Sequence, residues 1–187
     1  QPPSAMTSTG PKDRIYAAAR DQVEPFRFDE AVVRVFPDMI RRSVPGYATM
    51  VEMTGVIAGR YAQPGSNLYD LGCSLGAVTL AMRHQLPHAD CTLVAVDNSP
   101  AMIAQARTLL AGDGAPVDLR CEDIRDTRFA RASVVALNFT LQFIDPADRP
   151  ALLARIAEGM LPGGALVLSE KIRYADAREQ QLNEALH

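Results

Sequence analysis

Apolar residues before Gly65 recur every three or four positions, which is the spacing of amphipathic helices. This pattern predicts one helix over 28–40, with Asp29 at its N-cap and with Pro37 as the site of a kink or break. It predicts a second helix over Tyr47–Tyr61, after a turn rich in proline and glycine. Two helices therefore precede the main body of the chain.

After Gly65 the pattern changes to short apolar runs that alternate with helical segments, which is typical of βαβ units around a parallel sheet buried on both faces. The predicted strands are Asn67–Leu71, 92–96, Val117–Cys121, 133–137 and 165–169. The predicted helices are Ala77–Gln85, 100–111, 148–160 and a final polar helix over 175–186, with a helix-ending turn at 161–164. The fold class is therefore α/β, with a parallel sheet flanked by helices.

Composition and charge narrow the ligand class. The 187 residues are 48% hydrophobic and 22% charged, which is typical of a folded globular domain. The net charge of -3 argues against direct nucleic-acid binding. The sequence contains neither an apolar run long enough for a membrane helix nor the features of a signal peptide at its start, so we expect a cytoplasmic protein with a small-molecule ligand.

Cysteine and histidine usage excludes two further kinds of site. Cys73, Cys91 and Cys121 lie 18 and 30 residues apart, which fits neither a disulfide framework nor a zinc site. We predict reduced thiols and no metal. The three histidines do not suggest a Ser/His/Asp arrangement, and the catalytic residues stay unassigned.

Small and polar residues follow successive predicted strands, where the ligands of open parallel sheets bind. Gly72, Ser74 and Gly76 follow the first strand and allow the backbone to turn tightly beside a ligand. Asp97 follows the second strand, where a carboxylate is suited to accept hydrogen bonds from two ribose hydroxyls. Asp97 is also a candidate cap for the helix that begins at Pro100.

The glycine spacing distinguishes two nucleotide cofactors. A dinucleotide site requires G-x-G-x-x-G, which is absent here. Asp70-x-Gly72-x-Ser74-x-Gly76 instead resembles the first motif of class I S-adenosylmethionine-dependent methyltransferases, with serine in place of the middle glycine. Cys73 is interpreted as a small residue that fits a tight loop rather than as a nucleophile, because no base or cation lies near it in the sequence.

Longer segments resemble one branch of that superfamily, the carboxy-S-adenosyl-L-methionine synthases. They are VFPDMI (35–40), RSVPGY (42–47), YDLGCSLGA (69–77), DNSPAMI (97–103), LNFTLQF (137–143) and PGGALVLSEK (162–171). The resemblance implies a Rossmann-like fold with an N-terminal helical cap. It also implies an enzyme that converts S-adenosylmethionine and prephenate to carboxy-S-adenosylmethionine, phenylpyruvate and water, through a sulfonium ylide that captures carbon dioxide. A partner transferase then uses the product on the wobble uridine of tRNA.

The resemblance also implies the residues that contact the cofactor. The matching positions here are Tyr47, Gly72, Cys73, Ser74, Asp97, Asn98, Asp123, Ile124 and Asn138. Asp97 would hold the ribose, while Asp123 and the Ile124 backbone would meet the adenine edge. The Gly72 loop would admit the amino-acid part, and Tyr47 would close over the sulfonium.

The aperiodic start and the apolar pattern, together with the resemblance, give a domain division of 1–27 as a mobile arm, 28–63 as the helical cap and 64–187 as the S-adenosylmethionine-binding domain. Family members continue beyond the end of this sequence, with two more strands and an arginine for the new carboxylate. We therefore expect a C-terminally incomplete domain, whose last strand is an exposed edge, and a homodimer built on the leading helices. A conventional methyltransferase and a binding protein without catalysis remain the alternatives.

Overall fold

The computed structural model describes residues 30–112 and 115–185. The helices are α1 (Glu30–Ser43), α2 (Tyr47–Tyr61), α3 (Ala77–Gln85), α4 (Pro100–Leu109), α5 (Arg149–Gly159) and α6 (Ala177–Ala185), with one 3-10 turn at Leu141–Phe143. The strands are β1 (Asn67–Leu71), β2 (Thr92–Asp97), β3 (Val117–Cys121), β4 (Ala132–Asn138) and β5 (Met160–Ser169). The predicted cap at Asp29, the predicted arm and residue 186 lie outside the described residues.

All five strands form one parallel sheet in the order β3-β2-β1-β4-β5. Alternate residues of each strand face opposite sides, so the sheet buries two apolar layers. Leu68 of β1 belongs to the layer beneath α2 and α3, whereas Tyr69 and Leu71 belong to the layer beneath α5. The predicted fold class is confirmed, and the bounds of β1 and β3 agree with the predicted ones.

α1 is one continuous helix with Pro37 inside it, so of the kink or break predicted there the break does not occur. Phe36, next to Pro37, packs with Met102 of α4. The segment 161–164 is not a separate turn but a bulge inside β5, since Met160 already pairs with Ala132 and the ladder resumes where Ala165 pairs with Val134.

β5 lies at the edge of the sheet, as expected. Leu166 and Leu168 are 42% and 48% exposed on one face of it, while Val167 packs into the layer beneath α2 and α3. The described residues thus leave the face of β5 that carries the two leucines uncovered.

The helices α2 and α3 cross at very short range, because α2 presents glycines at the crossing. A Cβ atom on Gly59 would lie 2.6 Å from the Gln85 carbonyl oxygen, and a Cβ atom on Gly55 would lie 2.8 Å from the Ala81 carbonyl oxygen. These contacts involve backbone atoms, which cannot rotate away. The α2 glycines therefore set the distance at which α2 covers the sheet.

We expect Gly59→Ala to lower the free energy of unfolding by about 1 to 3 kcal/mol, because the added methyl group overpacks this crossing. At a helix position without close neighbours, a change from glycine to alanine raises the free energy of unfolding by about 1 kcal/mol. The sign of the change at Gly59 therefore shows whether the crossing is tightly packed. Chemical denaturation followed by circular dichroism measures it. The control is Arg60→Ala at an exposed neighbouring position. A more stable Gly59→Ala protein would contradict this packing.

Candidate functional site

A cavity of about 670 Å³ opens at the carboxyl ends of the strands, a size typical of small-molecule sites. All the residues predicted to contact the cofactor line it: Tyr47, Gly72, Cys73, Ser74, Asp97, Asn98, Asp123, Ile124 and Asn138. The parallel register accounts for this, because strands that run in one direction deliver the loops after them to one edge of the sheet.

The loop from Gly72 to Gly76, here called the Gly72 loop, forms the floor of the cavity. The Gly72 and Cys73 backbone N–H groups donate to the Val96 carbonyl at 2.8 and 2.9 Å, which joins this loop to β2. Gly72 has φ 76°, and a Cβ there would lie 2.7 Å from the Thr140 Cγ2. Only glycine fits both the left-handed backbone and the close approach of Thr140.

Ser74 occupies the position where the methyltransferase motif usually has its middle glycine. Its φ of 53° lies in the left-handed region, which explains why glycine is common at this place. Gly76 is the N-cap of α3 and has no side chain with which to cap the helix. Asp70 takes this role instead, since its carboxylate accepts the backbone N–H of Thr79 in the first turn of α3.

Asp97 ties two loops together. Its Oδ2 accepts the Ser74 N–H at 2.9 Å, and its Oδ1 accepts the Ser99 N–H at 2.9 Å. Burial raises its pKa, an effect that the two N–H donors oppose. Each carboxylate oxygen keeps a lone pair beyond these bonds, as two ribose hydroxyls would require. The cap of α4 is Ser99, whose hydroxyl accepts the Met102 N–H, rather than Asp97.

Asp123 follows β3 and is held by an arginine that the sequence analysis missed. The Arg125 guanidinium donates to Asp123 through Nη2 at 2.7 Å, and the Arg125 N–H donates to Asp123 Oδ1 at 2.8 Å. Hydrogen bonding from Arg125 keeps the pKa of Asp123 below its ordinary value. Arg125 also binds Asp148 at 2.9 Å. Asp123 is thus an oriented, ionised acceptor, and Ile124 beside it is buried.

Asn138 ends β4 and leaves an acceptor unsatisfied. Its amide nitrogen donates to the Thr54 hydroxyl at 3.4 Å, whereas its Oδ1 is buried without a partner among the described residues. A buried acceptor of this kind costs about 1 to 3 kcal/mol unless a donor reaches it. An amino group or hydroxyl of a ligand would satisfy it.

Burial raises the pKa of three groups that line the cavity, Asp70, Cys73 and Tyr47. Burial raises the pKa of Asp70 to about 6, even though the Thr79 hydroxyl donates to its Oδ2 at 2.6 Å. Burial, with the nearby charges of Asp70 and Asp97, also raises the pKa of the Cys73 thiol. Cys73 therefore stays a thiol, which agrees with its interpretation as a small packing residue. Burial likewise raises the pKa of Tyr47, which keeps its hydroxyl proton.

The sequence analysis missed two walls of the cavity. One is the apolar face of α1, which it assigned to packing alone. The other is the loop over 139–144, here called the β4 loop, together with Lys171 after β5. The lining residues from these walls are Phe36, Met39, Ile40, Ser43, Val44, Phe139, Thr140, Gln142, Phe143, Ile144 and Lys171. For the β4 loop and Lys171, the only sequence signal of a role in the site was their position directly after strands β4 and β5. Loops have no apolar period from which their lining residues could be predicted.

Comparison with known proteins gives consistent results. A family model described as a methyltransferase domain matches residues 68–164. A carboxy-S-adenosyl-L-methionine synthase from Marinobacter nauticus is 57% identical over 188 residues, covering all of this chain and 73% of the relative. The enzyme of the same name from Geobacter metallireducens is 57% identical over 178 residues, covering 94% of this chain and 73% of the relative.

Solved structures support the fold. A crystal structure of an S-adenosyl-L-methionine-dependent methyltransferase from Methanococcus maripaludis matches with a TM-score of 0.60 and 17% identity, over 88% of this chain and 73% of that one. The mitomycin 7-O-methyltransferase MmcR matches with a TM-score of 0.57 and 23% identity, over 84% and 44%. Among residues 30–112 and 115–185, no helix is long and apolar enough to cross a membrane.

We expect Asp97→Ala to weaken S-adenosylhomocysteine binding by at least about tenfold, because two charge-assisted hydrogen bonds to the ribose would be lost. Isothermal titration calorimetry measures this affinity. Two backbone N–H groups also lose their acceptor, so the free energy of unfolding should fall by about 1 to 3 kcal/mol while the fold persists. Asp118→Ala, on the exposed part of β3, is the control. Wild-type affinity in Asp97→Ala would refute the assignment of the ribose position.

We expect Asp70 to make stability depend on pH. Its pKa rises from an ordinary 3.8 to about 6 on folding, so folding favours the protonated carboxyl. The resulting stabilisation is complete below pH 3.8 and is lost as the pH rises through about 6. Relative to wild type, Asp70→Asn should therefore gain free energy of unfolding between pH 4 and 7, on the order of 3 kcal/mol. Urea titrations at each pH measure the difference, and a constant difference would contradict the assignment.

Proposed function

Because the chain belongs to the family of carboxy-S-adenosyl-L-methionine synthases and is a transferase with a class I methyltransferase fold, we propose that it converts S-adenosylmethionine and prephenate to carboxy-S-adenosylmethionine. The observation that carries the proposal is a single cavity at the strand ends lined by every residue that matches the family's cofactor positions. The chain spans 73% of the length of the relatives reported above.

The charge of the cavity suits a sulfonium substrate. Its lining includes the carboxylates of Asp70, Asp97, Glu122 and Asp123 against the cations Arg125 and Lys171. Excess negative charge in a partly enclosed cleft raises the local concentration of a cation. Of the residues matched to cofactor contacts, only Asp123, at the adenine edge, forms an ion pair among the described residues, and its partner is Arg125.

Different residues of the cavity bind different parts of S-adenosylmethionine. Asp97 holds the ribose hydroxyls with the lone pairs left over from Ser74 and Ser99. Asp123 and the Ile124 backbone bind the adenine edge. The amino-acid part enters beside the Gly72 loop. The half-buried Tyr47, at the start of α2, covers the sulfonium.

The proposed reaction is balanced in atoms and charge. Prephenate loses its ring carboxyl group and its ring hydroxyl and becomes phenylpyruvate. The S-methyl carbon gains the carboxyl group and gives up one proton, which leaves with the hydroxyl as water. No oxidant is needed. Because free carbon dioxide and a deprotonated methyl carbon would both be lost to water, the α1 wall contributes by enclosing the cavity with apolar side chains.

Family membership also suggests how the product is used and how the subunits assemble. The product would serve a partner transferase that modifies the wobble uridine of tRNA in the cytoplasm, without direct nucleic-acid binding by this chain. A homodimer through the leading helices is supported by Met53 and Val56 of α2, which are 51% and 50% exposed on the outside of the subunit.

We expect the purified protein, given S-adenosylmethionine and prephenate labelled with ¹³C in the ring carboxyl group, to form a labelled product heavier than S-adenosylmethionine by one carbon dioxide. Mass spectrometry of the quenched reaction measures it. Asp97→Ala should form none, because it cannot hold the nucleoside. Unlabelled product would mean that the carboxyl group comes from elsewhere. A demethylated nucleoside without carboxylated product would instead indicate a conventional methyltransferase.

A further inference from the structure

We propose that Lys171, together with Phe143 of the β4 loop, forms the subsite that binds the second substrate, a small carboxylate carrying an unsaturated ring. This inference rests on the proposed function, since it assumes an anionic co-substrate beside a nucleoside. Both residues line the cavity, and neither belongs to the positions matched to the nucleoside.

The charges of the cavity single out Lys171. Among residues 30–112 and 115–185, its cationic lining residues are Arg125 and Lys171. Arg125 is occupied by Asp123 and Asp148. Lys171 forms no ion pair with any residue in 30–112 or 115–185. Of the described cations, Lys171 is therefore the unpaired one that an anion entering this carboxylate-rich cavity can approach, and a lysine ammonium is a compact charge that pairs well with a carboxylate.

Lysine is rare in this chain, which sets Lys171 apart from the other basic residues. The chain has 19 basic residues, and Lys12 and Lys171 are its only lysines. Arginine is used almost everywhere else, and the one lysine among the described residues lies at the cavity. A flexible ammonium that can follow a reacting carboxyl group differs chemically from the rigid guanidinium used elsewhere in this protein.

The sheet order places this subsite away from the nucleoside. Asp97 ends β2 and Lys171 follows β5, with β1 and β4 between them. At about 4.8 Å per strand spacing, the two ends lie about 14 Å apart along the cavity. A nucleoside held at β2 and β3, with its amino-acid part at the Gly72 loop and Asn138, thus leaves the β4 loop and the β5 end for a second molecule, with the S-methyl group directed between them.

Glu170 holds the wall of this subsite in place. Its Oε1 accepts the Leu141 N–H at 2.7 Å at the start of the 3-10 turn, so its carboxylate is directed into the β4 loop. The same loop contains Phe139 at φ 57°, a strained conformation of the kind found at ligand sites. The loop presents Phe143, which is 61% exposed at the cavity and offers a ring-sized apolar surface.

The test separates prephenate binding from nucleoside binding. Prephenate is titrated calorimetrically into the protein saturated with S-adenosylhomocysteine, which has no methyl group to react. We expect Lys171→Met to weaken prephenate binding by about tenfold or more, since a charge-assisted hydrogen bond is lost. The affinity for S-adenosylhomocysteine should change by less than about twofold. Lys171→Arg, which keeps the charge, should retain most of the prephenate affinity.

The matched control is Arg173→Met, which removes an exposed cation two residues away that does not line the cavity. It should bind prephenate like the wild type. Wild-type prephenate affinity in Lys171→Met, an equal loss of nucleoside affinity, or no prephenate binding by the wild type would each overturn the subsite. The labelled-carboxyl assay judges the proposed reaction separately. Prephenate binding that depends on Lys171 without carboxylated product would retain the subsite and reject the reaction.

Discussion

The carboxylate of Asp97 is the interaction on which the site depends. It accepts one N–H from Ser74 of the Gly72 loop and one from Ser99 at the start of α4, so it joins the ends of β1 and β2 from within the cavity. The Gly72 loop is also bound to β2 through the Val96 carbonyl. These bonds hold a strained Ser74 in place, and they leave the remaining lone pairs of Asp97 oriented toward a ligand.

The two ends of the cavity differ in charge, and this difference would place the two substrates of the proposed reaction at opposite ends. At the β2 and β3 end, ionised carboxylates are fixed by backbone N–H groups and by Arg125. At the β5 end, Lys171 is a cation without a carboxylate partner among the described residues. In the proposed reaction, a cationic nucleoside and an anionic ring compound would each be attracted to a different end, which would bring the methyl group and the carboxyl group together between them.

Local pattern predicted most of the central elements. β1, β3, α2 and α3 have the predicted bounds, because each combines a clear apolar period with glycine or proline at its ends. The bulge in β5 escaped prediction, because Met160 joins the sheet only through its pairing with Ala132, a residue distant in sequence. The β4 loop escaped for a similar reason: its conformation is held by Glu170 from beyond β5.

The sequence by itself determined the α/β class, the family and the matched cofactor positions, because strand periodicity and short motifs are local properties that survive without coordinates. The tertiary structure alone decided which groups are already engaged and which remain available to a ligand. It pairs Arg125 with Asp123, assigns the cap of α4 to Ser99, leaves Asn138 Oδ1 unsatisfied and places Lys171 in the cavity. Such assignments depend on contacts between residues far apart in the chain, which no local pattern records.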